Sequence, residues 1–204
     1  VNGDIDAAIE LLRTSGQAKA EKKASRVAAD GRVAIKNNTS EAVIIEINSE
    51  TDFVVKDENF INFSDSVANL LLEKDVESIE QLSELVLSDS KTVEEARTEL
   101  ISKVGENISI RRFNKISDSV NLGIYSHGSR IGSIVSLSGG SENLAKDIAM
   151  HIAASNPICI DVNGVPSDLI EREKRIYNEQ ALSSGKPPEI IEKMVQGKMS
   201  KYLK

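Results

Sequence analysis

Cysteine is almost absent from this chain, and the lone Cys159 leaves no partner for an internal disulfide. Standing between Ile158 and Ile160, it reads as a small buried apolar side chain rather than a nucleophile. Histidine is nearly as scarce. His127 and His151 fall in different segments without the H-x-x-x-H spacing of a helical metal site, so neither a metal nor a cofactor is expected. No apolar run approaches the roughly 20 residues needed to cross a bilayer, and the first residues lack a charged-then-apolar signal region. These absences exclude a membrane partner and fit a cytoplasmic protein or one of an organelle matrix. The chain opens on Val1 rather than methionine, so upstream sequence is expected. Aromatics make up only 3% of the residues, which makes each ring's position informative.

What is present suits a globular protein: 204 residues at 40% apolar content are enough for one large or two small cores without staples. With 32 acidic against 25 basic residues, the net charge of -7 opposes the phosphate backbone, so direct nucleic-acid binding is not expected. The basic run from Lys19 to Arg26 is the local exception. No aromatic interleaves it, and it reads as a solvated helix face or a linker.

The spacing predicts a short capped helix from Gly3 to Gly16, with Ile5, Ala8, Ile9 and Leu12 on one face and Gly16 past its end. Two strands follow, Gly31 to Lys36 and Glu41 to Asn48, joined by a turn at Asn37 to Ser40. Helices are expected over Asp57 to Lys74, Ser78 to Val86 and Lys91 to Val104, the last ended by Gly105. Runs at Asn107 to Lys115, Val120 to Tyr125 and Arg130 to Leu137 read as strands, most economically an antiparallel meander. Ser141 and Glu142 open another helix. From Pro166 onward, Ser167 to Leu182 and Pro187 to Tyr202 read as a projecting helical hairpin, its seam closed by Ile170, Ile176, Ile190, Ile191, Met194 and Val195. The fold class is therefore α+β.

The segment Ser49 to Lys56 stands out, because there an alternating apolar strand stops and a phenyl ring appears beside an acid. Phe53 is either the first residue of the core or a knob meant for another protein, and propensity points to the core. Enzyme chemistry finds little support elsewhere. Ser138-Gly139-Gly140-Ser141 lacks both the Gly-Lys-Ser/Thr of a P-loop and the spacing of a dinucleotide site. Dispersed carboxylates without a defined pair are no evidence for hydrolysis. Binding therefore outranks catalysis, and the chain is not expected to be an enzyme.

The order of motifs resembles the elongation factor Ts family over nearly the whole chain. It rests on Gly3-Asp4-Ile5 to Ser15-Gly16, Lys22-Lys23-Ala24 to Ala28-Ala29-Asp30-Gly31, Thr51-Asp52-Phe53-Val54, and Val104-Gly105-Glu106-Asn107-Ile108 with Arg111-Arg112. His127-Gly128-Ser129-Arg130-Ile131-Gly132 and Ile148 to Ser155 follow in family order. The resemblance implies a guanine-nucleotide exchange factor that binds elongation factor Tu, displaces Mg²⁺ and promotes GDP release. It implies that residues 1–17 are the last helix of a UBA-like N-terminal domain and 18–30 a linker. It further implies a core of two parts, 31–118 and an incomplete 119–166, with 167–204 as a coiled-coil arm.

By the same resemblance, Asp52 and Phe53 match the acid and ring pushed between helices of the partner's G domain. Thr51, Val54 and Val55 complete the segment associated with dislocating Mg²⁺, although the family commonly has alanine where Val55 stands. Val104 and Gly105 match a second G-domain contact, and His127 a residue facing another domain of the partner. The alternative from another class is a structural module that forms a homodimer through the helical arm.

Overall fold

The computed structural model describes residues 4–88, 90–117 and 121–203. The chain divides into two compact units, the first running to Ala154 and the second from Ser155.

The first unit is built on a hairpin. Strands β1 (Asp30–Asn37) and β2 (Ala42–Ser49) pair antiparallel, from Asp30 opposite Ser49 to Asn37 opposite Ala42. Their turn is closed by Asn38, whose backbone N–H donates to the Glu41 carbonyl while its side-chain oxygen accepts from the Ser40 and Glu41 amides. Val43, Ile45 and Ile47 of β2 are fully buried. Helix α2 (Asp52–Val55) is a single turn, and α3 (Glu58–Glu73) follows at once, capped by the Asp57 carboxylate on the Asn59 and Phe60 amides. Phe60, Phe63, Val67, Ala68 and Leu71 are buried at the three- and four-residue spacing of one helix face.

After α4 (Ile79–Glu84), the short strands β3 (Val86–Ser88) and β4 (Lys91–Thr92) pair with each other. Helix α5 (Val93–Val104) then opens on a Thr92/Glu95 capping box. Val93 and Ile101 are fully buried in the same core as Phe60 and Ile45. Strand β5 (Ser109–Ile116) returns antiparallel to β2, giving the order β1-β2-β5. The expected meander is thereby corrected, since β5 joins the first sheet and leaves β6 (Asn121–His127) and β7 (Ile131–Leu137) to form a two-stranded sheet of their own. Burial accounts for the place of β5 beside β2, since Ile108 and Ile110 join the core cluster of β2 and α3. Val120, expected to start a strand, lies outside the described residues. Helix α6 (Glu142–Ser155) packs by its buried Ala145 and Ala149, and the Ser133 hydroxyl of β7 donates to the Ala149 carbonyl at 2.6 Å.

The opening helix also differs from expectation. Helix α1 (Ile5–Ala24) runs through Gly16 and takes in most of the basic run that reads as a linker. Gly16 is not a stop signal but a point of close approach. A Cβ there would stand 3.3 Å from the Ser102 hydroxyl of α5, and Ala20, one turn on, is buried. Lys22 and Lys23 then lie in the last turn, where cations favour the helix terminus. Of the expected apolar face, Ile5 is exposed, and the side chains of Ala8, Ile9 and Leu12 lie outside those described.

In the second unit, α7 (Ser167–Leu182) and α8 (Pro188–Tyr202) form the expected hairpin. Its seam is partly different from the one expected. Ala181, Ile191, Val195 and Met199 are buried, with Ile170, Tyr177, Tyr202 and Leu203 packed against them, whereas Ile190 is exposed. Cys159 is corrected as well. It is half-buried in an irregular segment between exposed Ile158 and Ile160, its thiol donating to the Asp161 carbonyl.

Candidate partner-binding site

The site begins where β2 ends. The buried Ser49 hydroxyl donates to the Thr51 carbonyl at 3.0 Å, and Thr51 itself is extended, so the chain enters α2 by an abrupt turn. One helical turn cannot sustain itself in water. Here Val54 and Val55 are both buried and anchor α2 to the core, and the Lys56 and Asp57 amides close it on the Phe53 and Val54 carbonyls. With consecutive valines taking the inward positions, the residue before them faces out. Phe53 is 80% exposed, so the expectation of a core ring is corrected. A bulky residue at position 55 is accommodated in the core.

Asp52 lies at the first turn of α2, where its carboxylate accepts a hydrogen bond from the Lys56 ammonium at 2.7 Å. That bond and the Lys56 charge, with a further contribution from Arg130, hold its pKa below the ordinary aspartate value. The pair is half-exposed and adds little stability, but it keeps an anion beside the ring. Arg130 is itself ion-paired with Asp30 at the start of β1.

The second segment ends α5. Gly105 adopts the left-handed conformation at φ 82° and caps the helix by donating to the Ile101 carbonyl at 2.9 Å, a geometry that favours glycine. Val104 packs partly buried against the core. Beyond Gly105, the Glu106 carboxylate accepts from the Thr51 amide at 2.9 Å and the Thr51 hydroxyl at 2.6 Å. In the opposite sense, the Glu50 carboxylate accepts from the Asn107 amide at 2.7 Å. The Asn107 side chain donates to the Arg26 carbonyl at 2.8 Å, tying the end of α1 into the same junction.

Thr51 to Val55 and Val104 to Gly105 are therefore brought together. His127 sits on a different element, at the β6 end of the turn into β7, exposed and stacked on Tyr125, whose hydroxyl lies 3.2 Å from Nδ1. The turn is fixed to β1 by the Val33 amide donating to the Ser129 carbonyl at 2.7 Å, and through Arg130 its charge is felt at Asp52. Glu50, Glu106, Lys56 and Arg130 carry this arrangement, yet the sequence reading assigned them no role. Glu50, Glu106 and Arg130 act on residues 55 to 100 positions away, beyond any local periodicity, whereas Lys56 pairs with Asp52 at the local i,i+4 spacing.

The family model described as elongation factor TS matches residues 50–204 of this chain. A curated protein of Legionella pneumophila (strain Lens), elongation factor Ts, is 52% identical over 99% of this chain and 70% of its own length. The elongation factor Ts of Acinetobacter baylyi is 51% identical over 99% of this chain and 69% of its own length. That of Alcanivorax borkumensis is 49% identical over all of this chain and 72% of its own length.

Proposed function

Because the chain belongs to the elongation factor Ts family of translation elongation factors, we propose that it is a guanine-nucleotide exchange factor that binds elongation factor Tu and promotes GDP release. The observation that carries this reading is the exposed Phe53 ring on a turn anchored by two buried valines. In water such a ring is an unsatisfied apolar surface, and burying it in a partner pocket is worth roughly 1.5 to 3 kcal/mol. That is about one to two decades in affinity, so Phe53 shifts a partner loop but does not expel a tightly held nucleotide alone. Contacts from Asp52, Val104, Gly105 and His127 supply the remainder.

Exchange needs no covalent step. A factor that binds the nucleotide-free partner more tightly than the GDP-bound one must, by linkage, weaken GDP binding by the same factor. Physically, a ring pressed between helices of the partner displaces the groups that hold Mg²⁺. The β-phosphate then loses charge compensation and GDP leaves sooner. Thr51 to Val55 is the segment that acts in this way, and the site of action is the cytoplasm. Titration of the chain against nucleotide-free and GDP-loaded elongation factor Tu tests the reading. Tighter binding to the nucleotide-free form, weakened on adding GDP, is expected; equal affinity for both forms would overturn it.

A second reading, a structural module forming a homodimer through α7 and α8, draws on Leu182 and Ile190, which are exposed on the hairpin. Sedimentation equilibrium of the chain alone separates the two, since only the second requires self-association.

A further inference from the structure

We propose that Glu106 and Glu50 are positioning residues that clasp the two partner-facing segments into one rigid element and so fix the direction in which Phe53 points. This inference rests on the exchange reading above. The clasp is reciprocal. Glu50 and Glu106 each stand immediately before the residue whose amide the other carboxylate holds: Glu106 takes the Thr51 amide, and Glu50 takes the Asn107 amide. The two loops are 55 to 57 residues apart in sequence and continue from the paired ends of β2 and β5, where Asn48 stands opposite Ser109.

Three features make the clasp more than a surface decoration. First, the Thr51 amide sits at the cap of α2, where helical bonding leaves donors unmet, and the Asn107 amide, beyond the cap of α5, finds its acceptor in the Glu50 carboxylate. Second, the Glu106 carboxylate holds Thr51 twice, through the amide and the hydroxyl. In a partly buried setting, charge-assisted bonds of this kind are among the stronger ones. Third, the Phe53 ring is 80% exposed, so its own packing does little to set its direction. The buried Val54 and Val55 fix one side of α2, and the clasp fixes its beginning. A ring held this way meets its pocket without ordering a loop first, and a partner touching Gly105 meets Phe53 at a set spacing.

The test uses Glu106→Ala, Glu106→Gln and Thr51→Val, with two readouts. In the free chain, loss of the charged acceptor is expected to raise hydrogen exchange of the Thr51 amide by about tenfold or more, with the β2 amides unchanged. In fluorescent GDP release from elongation factor Tu, the saturating rate should fall by about tenfold while the concentration for half-effect stays close to native. Glu106→Gln retains an acceptor oxygen and should recover part of both effects, and Thr51→Val, which removes only the hydroxyl bond, should fall between. Unchanged exchange at Thr51, or a loss of release that follows only a lower melting temperature, would overturn the clasp as a positioning device. If the native chain fails to accelerate release, the exchange reading falls, and the hydrogen-exchange arm still decides whether the clasp holds Thr51.

Discussion

Phe53 and Phe60 are seven residues apart and have opposite fates. Phe60 is fully buried, and its truncation to alanine should cost about 3 to 5 kcal/mol, whereas Phe53→Ala should stay within about 0.5 kcal/mol of native in urea denaturation. Equal costs for the two would contradict the exposed placement. Asp52 has a signature of its own. Its pKa is lowered first by the hydrogen bond from Lys56 and then by that residue's charge. The contribution of the pair is thus present above the unfolded aspartate value and disappears as pH falls through the lower folded one. Carboxyl carbon shifts followed by NMR should show Asp52 titrating below an ordinary aspartate, and Lys56→Met should return it toward the ordinary value. A titration unaffected by Lys56→Met would rule out that cause. The acid and the ring were both legible as a local signature at the end of a strand. The outward direction of the ring was not, because it depends on which of three consecutive apolar residues the core accepts.

At the scale of elements, α3, α7 and the β1–β2 hairpin were legible because their signals are local: a 3.6-residue apolar stripe, a capping acid and a polar turn. The length of α1 and the partner of β5 were not. Gly16 reads as a terminus in sequence, yet in the fold it lets α1 approach the Ser102 hydroxyl of α5. Gly16→Ala should therefore be nearly neutral or mildly stabilising, since helix propensity favours alanine and the hydroxyl it meets can rotate. Gly16→Leu should push α1 away from α5 and lower the melting temperature. If Leu is tolerated as well as Ala, the close approach is wrong. In the hairpin, Met199 is buried although the seam expected from sequence omitted it, and Ile190 is exposed although that seam included it. Met199→Ala should cost about 2 to 5 kcal/mol of hairpin stability and Ile190→Ala little, as thermal denaturation would reveal. The reverse order would restore the seam expected from sequence.

Across the whole molecule, every candidate contact residue from Thr51 to His127, together with both clasp carboxylates, belongs to the unit that ends at Ala154. The chain spans about 70% of the length of the relatives it matches and belongs to a family of translation elongation factors. Exchange, as proposed for it, then reduces to a thermodynamic bias. The partner with an empty nucleotide site must hold this chain better than the partner with GDP, and the exposed ring is the piece of surface best placed to read that difference.

The most direct measurement is the rate of fluorescent GDP release from elongation factor Tu with no addition, with the native chain and with Phe53→Ala, alongside the melting temperatures of both proteins. The native chain should accelerate release, and Phe53→Ala should lose most of the acceleration while melting at the native temperature. A Phe53→Ala protein that accelerates release as well as the native chain would contradict that expectation.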